Sequence, residues 1–332
     1  MAFRHLTLHS SPGALLPQFP SYALASRVQT TLQQEFLAWK ALPPSSRGPP
    51  PPPGIICFTP TPTYTLGRRQ TEPLSESEIA SLRSPLFVPT ANASNGNWGA
   101  SGSSSSSEGI NGPGKTAFFL PTIAHAPRGG LTTYHGPGQL VIWPVIDLHS
   151  PLHAHLSVRD YACLLEKTTI AALKHLWGLD AFTTANPGVW VRSRGAGGEA
   201  AQERKIAALG VHLRRHVTGL GVAINYSTPV TGPVATNPWS RIVPCGLGDR
   251  GVTSVCAELS SGIGSTPHQH NDDKSALDSL AETWQSEFQK RLEMHEGAVA
   301  SDIEQTVSEL GAQVKGRDDL LIQARPLSYL ET

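Results

Sequence analysis

A cysteine between a proline and a glycine, Cys245, is the first candidate for covalent chemistry in this sequence. Pro244 restricts the backbone before the thiol, and Gly246 leaves room for an approaching carbonyl group. Backbone N–H groups at such a turn can stabilise an oxyanion. A cysteine in an apolar run is also commonly a small, inert core residue, so the motif by itself leaves both interpretations open.

Lys205, at the start of the strand-like segment KIAALG, is the second candidate. A lysine at the mouth of a strand is usually solvated. If its side chain faces Cys245, however, the ammonium group favours the thiolate, which is the nucleophilic form. Lowering a thiol pKa from ~8.5 to ~6.5 raises the thiolate fraction at pH ~7 from about 3% to about 75%. Such a pair suits acyl transfer, with the lysine also carrying a proton to or from the leaving group.

Residues 128–148, which read RGGLTTYHGPGQLVIWPVIDL, join a glycine-rich loop to an apolar run. Glycines at this density around Tyr134 and His135 allow positive φ angles and a close approach to a ligand. The run at 140–146 is typical of a strand buried on both faces. The stretch predicts a polar loop held on a buried strand, although a hairpin turn with a satisfied histidine would produce the same pattern.

Two pairs of histidines, His153 with His155 and His268 with His270, could each place two imidazoles on one face of a strand. Neither pair has a carboxylate or cysteine at metal-ligand spacing. The sequence contains no GxxxxGK[ST] phosphate loop and no GxSxG nucleophile motif. These patterns therefore give little support to a metal site, a nucleotide-binding loop or a serine hydrolase.

The composition is that of a globular protein, with 39% hydrophobic residues, 16% charged residues and a formal net charge of +0. This balance provides no global attraction to nucleic acid or an anionic membrane, and no run of ~18 apolar residues predicts a spanning helix. The four cysteines form no CxxC pair, which indicates reduced thiols. The first acidic residue is Glu35, as in organelle presequences, but residues 3–9 already alternate like a strand. We therefore expect an uncleaved start or a chain lacking its presequence.

Alternating strand and helix patterns predict a single α/β domain built on a mixed sheet. Helices are predicted at residues 21–41, 76–82, 157–177 and 275–294, and strands at 3–9, 54–59, 86–88, 117–123, 140–146, 188–192, 205–213 and 221–225. We assign residues 1–295 to this domain, with disordered polar insertions at about 91–116, 193–203 and 260–273. Residues 296–332 are predicted to form a C-terminal helical extension that opens at a capping box, Ser301 to Glu304.

Three blocks in fixed order carry a resemblance to a known family: RGGLTTYHGPGQLVIWPVIDL, KIAALGVHLRRHVTGLGVAIN and IVPCGLGDRGVTSV. They resemble the lipoyl(octanoyl) transferases, the LipB-type enzymes of lipoate biosynthesis, across most of residues 3–292. The resemblance implies a fold similar to the catalytic domain of biotin and lipoate protein ligases, a mixed sheet flanked by helices. It also implies transfer of an octanoyl group from acyl carrier protein to a protein lysine, through an octanoyl-cysteine thioester and without a cofactor.

Carried over by position, the resemblance makes Cys245 the acyl-accepting nucleophile and Lys205 the residue that lowers its pKa. It also implies a substrate pocket formed by three short segments: Arg128, Gly129, Gly130, Leu131, Thr132, Thr133, Tyr134 and His135; Ala208, Leu209 and Gly210; and Gly221, Val222 and Ala223. Two positions depart from the family pattern. Ala208 stands where serine is frequent, and Leu131 stands where a polar residue is common.

The resemblance implies acceptors as well as a donor: the lipoyl domains of 2-oxoacid dehydrogenase complexes and the glycine cleavage H protein. It implies no nucleic-acid or membrane partner, and we expect a monomer. Long insertions similar to those of fungal relatives suggest a mitochondrial matrix enzyme. Because acyl carrier proteins and lipoyl domains tend to be acidic, we expect a local basic patch at Arg68, Arg69, Arg214 and Arg215.

Two other interpretations remain. An ATP-dependent lipoate ligase on the same fold would need an adenylate site, and related ligases carry a serine and more glycines in the RGG region. A catalytically silent carrier-binding module would not need the cysteine and the lysine, both of which this chain has.

Overall fold

The computed structural model describes residues 3–10, 19–90, 115–193, 202–243, 250–260, 273–292 and 320–324. Its strands are β1 (Arg4–Ser10), β2 (Gly54–Phe58), β3 (Thr63–Leu66), β4 (Leu86–Thr90), β5 (Lys115–Phe119), β6 (Thr122–His125), β7 (Thr133–His135), β8 (Gln139–Val145), β9 (Ala181–Phe182), β10 (Val189–Ser193), β11 (Gln202–Arg214), β12 (Val217–Asn225) and β13 (Leu320–Ala324). The helices are α1 (Tyr22–Ala41), α2 (Glu76–Arg83), α3 (Val158–Trp177), α4 (Val255–Ser260) and α5 (Asp273–Leu292).

Eight of the strands form one mixed sheet in the order β13-β1-β2-β8-β12-β11-β10-β9. β1 and β2 are parallel, and the other neighbours in this sheet are antiparallel. β8 lies near the centre and every one of its residues is buried, as the apolar run in the sequence predicts. The expectation of a mixed α/β fold is therefore confirmed.

Helices cover both faces of the large sheet. α1 packs its apolar stripe, which includes Leu24, Val28, Leu32 and Phe36, on one face. α3 and α5 pack on the other face, where Trp284 and other aromatic and aliphatic side chains fill the core. Ser21, Ser75 and Ser157 are the N-caps of α1, α2 and α3, and each accepts a hydrogen bond from a backbone N–H of the first turn.

Two smaller sheets stand beside the large one. β3 lies between β6 and β7, and β4 pairs with β5. A third apolar cluster forms here around Tyr64, Tyr134 and Trp239. This cluster holds the glycine-rich loop against the α1 face of the large sheet, because Tyr134 belongs to the loop and is fully buried.

Several boundaries differ from the sequence predictions. The strand predicted at 117–123 is two strands, because Pro121 lacks the N–H that a continuous ladder needs. β5 begins at Lys115, inside the insertion predicted at 91–116. β11 begins at Gln202, inside the insertion predicted at 193–203, and Gln202 pairs with Ser193. The remaining parts of these two insertions, and residues 261–272 of the third, lie outside the described residues.

The predicted C-terminal helix at Ser301 also lies outside the described residues. Within the extension, the described segment Leu320–Ala324 is a strand, β13, which pairs antiparallel with β1. Sequence analysis did not predict this strand. Its pairing with β1 satisfies backbone groups that an edge strand would leave open.

Candidate active site

A narrow cleft of about 40 Å³ lies between the α1 face of the large sheet and the glycine-rich loop. Its lining includes residues from all three predicted pocket segments: Arg128, Thr133 and His135 from the loop, Ala208–Gly210 from β11, and Gly221–Ala223 from β12. The structure therefore brings the three sequence blocks together around one cavity.

The sequence analysis missed four cleft residues. Tyr22 of α1, Val141 and Trp143 of β8, and Leu220 of β12 complete the lining. Tyr22 stacks on the His135 ring, with 5.6 Å between ring centroids, and meets Trp143 edge-on. A signal was present for Trp143, which alternates with Val141 along a buried strand, but the contact with Tyr22 depends on tertiary packing.

Other predicted pocket residues shape the loop and do not line the cleft: Gly129, Gly130, Leu131, Thr132 and Tyr134. Tyr134 points to the opposite side of β7, where its ring lies 5.4 Å from Tyr64 and 5.7 Å from Trp239. Gly130 has a φ of +81°, a conformation that strongly favours glycine.

Arg128 organises the loop through its buried guanidinium group. Its Nη1 donates to the carbonyl oxygens of Gly129 and Leu131, and its Nη2 donates to the carbonyl and side-chain oxygens of Thr65. The aliphatic part of the side chain crosses Gly210, where an added Cβ would lie 2.6 Å from Arg128 Cδ. Glycine is therefore needed at position 210 because a larger residue would collide with the Arg128 side chain.

A β-bulge turns Lys205 onto the face of the sheet that bears the cleft. Val189 pairs with Ala207, but the next residue, Trp190, pairs with Lys205, so β11 contains one extra residue. Val189 and Val191 pack in the core beneath α3, which places Trp190 and its partner Lys205 on the opposite face. Ala208 lies on this face too, opposite Ala223. Simple alternation along β11 would have separated Lys205 from Ala208.

The Lys205 side chain is 7% exposed and is held by several groups. Its Nζ donates to the Pro187 carbonyl oxygen at 3.0 Å and lies 4.8 Å from the centroid of the Trp190 ring. Gly188 permits this placement, because it has a φ of +123° and a Cβ there would lie 3.3 Å from Lys205 Cε. Glu166 accepts the Gly188 N–H at 2.9 Å. Burial raises the pKa of Glu166, whereas the Gly188 N–H and the Lys205 ammonium act in the opposite direction.

Cys245 lies outside the described residues, together with Pro244 and Gly246. Residues 251–253, which follow this segment in the sequence, run directly beside Lys205. Lys205 N–H donates to the Gly251 carbonyl at 3.0 Å, and Thr253 N–H donates to the Lys205 carbonyl at 2.9 Å. Ile242 and Val252, which flank the segment, both pack on the cluster that contains Tyr134.

A buried hydrogen-bond chain connects these motif blocks. Asn225 Nδ2 donates to the Thr253 carbonyl oxygen, and Gln139 Nε2 donates to Asn225 Oδ1 at 2.8 Å. Gln139 Oε1 lies 2.8 Å from His135 Nδ1. Sequence analysis did not single out Gln139 or Asn225. Each is a polar residue at the end of an apolar strand. This pattern indicates a buried hydrogen bond only when the partner of the side chain is known.

His135 and His5 are buried histidines whose pKa values burial lowers to about 4. An unfolded histidine titrates near ~6.5, so the unfolded chain binds protons more readily as the pH falls from ~6.5 to ~4. Stability is therefore greatest above the unfolded pKa and falls through this window. We expect each histidine to contribute about 2 kcal/mol of lost stability between pH ~7 and pH ~5.

Urea unfolding of wild type and His5→Gln at both pH values checks this expectation. His5→Gln should show a smaller loss of unfolding free energy at the lower pH. The exposed His175→Gln serves as the control and should keep the wild-type pH dependence. An unchanged pH dependence in His5→Gln would show that His5 does not contribute.

Among the described residues, no group of three or more histidine, cysteine, aspartate or glutamate side chains is arranged to hold a metal ion. His153 and His155 do not share a strand: both follow β8 in an irregular segment, where His153 is buried and His155 stacks on His149. His268 and His270 lie outside the described residues. The helices of the described part include none long and apolar enough to cross a membrane.

The chain is similar in sequence to several known proteins. Residues 122–269 match the family model of the lipoyl protein ligase A/B catalytic domain. The chain is 33% identical over 234 residues to a probable octanoyltransferase of Schizosaccharomyces pombe, covering 70% of this chain and 80% of the relative. It is 41% identical over 132 residues to the mitochondrial octanoyl-[acyl-carrier-protein]:protein N-octanoyltransferase LIPT2 of Xenopus tropicalis, covering 40% of this chain and 47% of the relative.

Among solved structures, a bi-partite lipoate protein ligase of Thermoplasma acidophilum aligns with a TM-score of 0.46 at 13% identity, covering 94% of this chain and 93% of that one. The relationship to the fission yeast protein extends over most of both sequences. The chain belongs to the octanoyltransferase family and contains a lipoyl protein ligase A/B catalytic domain.

Proposed function

We propose that this protein transfers an octanoyl group from octanoyl-acyl carrier protein to a lysine of lipoyl domains, through a thioester on Cys245. The names of the relatives support the donor and the reaction class. The observation that carries the proposal is the placement of Lys205. A bulge turns this lysine onto the cleft face, beside the backbone of Gly251 and Thr253, which lie six and eight residues along the chain from Cys245.

In the first step, the Cys245 thiolate attacks the carbonyl carbon of the octanoyl thioester. A new C–S bond forms, the bond to the carrier sulfur breaks, and the departing thiolate takes a proton from the Lys205 ammonium. An ammonium next to the nucleophile stabilises the thiolate before the attack, so one residue serves both purposes.

In the second step, the ammonium of the acceptor lysine gives a proton to neutral Lys205. The resulting amine attacks the octanoyl-Cys245 carbonyl, an amide bond forms, and Cys245 leaves as a thiolate. The second proton on the new amide nitrogen passes to solvent. The cycle returns Lys205 as an ammonium and releases one proton overall.

Val141, Trp143 and Leu220 give the cleft an apolar wall that suits an alkyl chain, although the cleft would have to widen beyond its volume of about 40 Å³ to hold eight carbons. Burial of each CH₂ group is worth about 0.8 kcal/mol, which favours a medium-length acyl group over a short one. Ala208 adds to this wall, since it lacks the hydroxyl that serine would place there.

The kinetic test uses octanoyl-acyl carrier protein and a lipoyl domain without ATP. We expect ping-pong kinetics, with parallel lines in double-reciprocal plots and no effect of added ATP. Transfer that appears only with ATP would instead identify an adenylate-forming ligase. Carrier binding without transfer under either condition would identify a silent binding module.

We further propose that the carrier docks on a basic rim beside the cleft. Arg68 and Arg214 lie near His212: burial first, and then these two arginines, lower the pKa of that histidine. The backbone N–H groups of Arg68 and Arg69 donate to the Arg128 and Gly130 carbonyl oxygens, so both residues lie beside the glycine-rich loop. Arg215 is exposed and follows directly after Arg214, the last residue of β11.

Reversing the rim charge should weaken carrier binding. The double variant Arg68→Glu, Arg214→Glu should raise KM for octanoyl-acyl carrier protein by about tenfold at low salt and flatten its salt dependence. Arg159→Glu, an exposed charge on α3 across the sheet, is the matched control. If both variants keep the wild-type KM and salt dependence, the carrier docks elsewhere.

We also propose a mitochondrial location, since LIPT2 of Xenopus tropicalis and of Danio rerio are named as mitochondrial. The matrix is the compartment that would supply both a carrier-bound octanoyl group and lipoyl domains of 2-oxoacid dehydrogenases and the glycine cleavage H protein.

A further inference from the structure

The hydrogen-bond chain that ends at His135 fixes which ring nitrogen carries the proton. The Thr253 carbonyl oxygen can only accept, so Asn225 must point its Nδ2 toward it. Asn225 Oδ1 then accepts from Gln139 Nε2, which also lies 3.4 Å from the Tyr134 carbonyl oxygen. If the Gln139 side-chain amide were flipped, its oxygen would face two other acceptors, Asn225 Oδ1 and the Tyr134 carbonyl oxygen. Gln139 Oε1 therefore faces His135 and accepts its Nδ1–H at 2.8 Å.

It follows that His135 Nε2 has no proton and keeps a lone pair. Burial lowers the pKa of His135 to about 4, so the ring remains neutral at physiological pH. Within the described part of the chain, no hydrogen bond engages Nε2, and the residue lines the cleft. The imidazole is thus a neutral acceptor that the protein holds ready for an N–H group.

Thr133, two residues earlier on β7, offers the complementary group. Residues i and i+2 of a strand point to the same face about 7 Å apart, and both Thr133 and His135 line the cleft. Thr133 is 4% exposed, and its Oγ1 has no hydrogen-bond partner among the described residues. A buried hydroxyl without a partner is costly unless a ligand satisfies it.

We propose that Thr133 and His135 form a subsite for a secondary amide, in which His135 Nε2 accepts from the amide N–H and Thr133 Oγ1 donates to the amide oxygen. The N–H and C=O of a trans amide point in opposite directions, so an acceptor and a donor about 7 Å apart can flank the amide and engage both groups. The adjoining apolar wall of Val141, Trp143 and Leu220 takes an alkyl chain.

Given the proposed function, the amide belongs to the arm that carries the octanoyl thioester. Acyl carrier proteins bear their thioester on a pantetheine arm, which contains secondary amides a few bonds from the sulfur. The amide N–H keeps its proton throughout the reaction, which suits a weakly basic acceptor. Gln139 and Asn225 are then positioning residues that set the histidine tautomer.

Two unreactive thioethers test the subsite without any chemistry. The first is S-octyl-N-acetylcysteamine, and the second is its ester analogue, in which oxygen replaces the amide N–H. Calorimetry on the full chain should show that wild type binds the amide about 5- to 10-fold more tightly than the ester, which is the worth of one hydrogen bond. His135→Phe, which keeps an aromatic ring beside Tyr22, should reduce this preference to within about twofold.

Thr133→Val should behave differently, because both probes contain the carbonyl that Thr133 contacts. This variant should bind both probes about fivefold more weakly and keep the preference for the amide. In ¹⁵N NMR, the His135 Nε2 resonance, assigned by its loss in His135→Phe, should appear unprotonated. It should move when the amide is added and not when the ester is added.

Equal affinity of wild type for the two probes would overturn the subsite, as would an undiminished preference in His135→Phe. A protonated Nε2 in the free protein would overturn the tautomer on which it depends. These results are independent of catalysis: absence of acyl transfer with normal probe discrimination would contradict the proposed function and leave the amide subsite intact.

Discussion

Lys205→Met should lower kcat/KM for octanoyl transfer by about two to three orders of magnitude, the usual scale for a lost general acid–base group. Methionine preserves the length and apolar stem of the side chain but removes the ammonium beside Trp190 and the Pro187 carbonyl. The pH dependence of Cys245 alkylation by iodoacetamide provides a second readout. Its midpoint should rise toward ~8.5, the ordinary thiol value.

Lys174→Met is the matched control for this experiment. Lys174 is an exposed lysine at the end of α3, where it pairs with Asp180 at 2.7 Å on the surface. Its loss should leave both the transfer rate and the alkylation midpoint unchanged. If Lys205→Met keeps the wild-type alkylation midpoint, Lys205 does not activate the thiol, whatever its effect on rate.

Gly221→Ala should be the most damaging single-methyl addition at the floor of the cleft. A Cβ at this position would lie 2.3 Å from the Ile142 carbonyl oxygen and 2.9 Å from Pro144 Cδ. These contacts are with backbone and proline in the adjacent central strand β8, which cannot move without disturbing the ladder. We expect the free energy of unfolding to fall by about 3 kcal/mol.

Denaturant unfolding of Gly221→Ala against Gly48→Ala measures this effect. Gly48 has no neighbouring atom within 4 Å of an added Cβ, so the control reports the general consequence of replacing glycine by alanine. Similar unfolding free energies for the two variants would show that β8 and β12 separate easily. The glycine would then be a requirement of the ligand and not of the strand packing.

Much of the fold was predictable because local patterns and tertiary packing agree. The helix predicted at 157–177 is α3, and its side chains Tyr161, Leu165 and Ala172 pack in the core. Ser157 and Gly178 begin and end that helix as their residue types suggest. Most of the apolar run at 140–146 lies in β8, Gln139–Val145, which is buried on both faces because helices cover both sides of the sheet.

The geometry around Lys205 was not predictable from the sequence. The bulge depends on how β10 and β11 pair, and the sequence of β11 alone gives no sign of an extra residue. Without the bulge, Lys205 would point into the apolar core beneath α3. The contact between the Trp190 ring and the Lys205 ammonium depends on the same pairing, since the two residues lie opposite each other in β10 and β11.

The structural role of the glycines around the cleft was also not predictable from the sequence. The loop glycines predicted a close approach to a ligand, and the family resemblance placed Gly210 and Gly221 in the substrate pocket. In the structure, Gly210 and Gly221 admit protein atoms: the Arg128 stem in one case and the β8 backbone in the other. Arg128 itself binds carbonyl groups of its own loop. These assignments depend on contacts between segments far apart in sequence.

Cys245 is the residue that we propose to carry the octanoyl group between the two substrates. Intact-protein mass spectrometry can detect this intermediate after the protein is mixed with octanoyl-acyl carrier protein in the absence of ATP and acceptor. We predict one octanoyl adduct on wild type, none on Cys245→Ala, and complete loss of the adduct when a lipoyl domain is added. An adduct of equal yield on Cys245→Ala, or transfer by wild type without any adduct, would contradict the account.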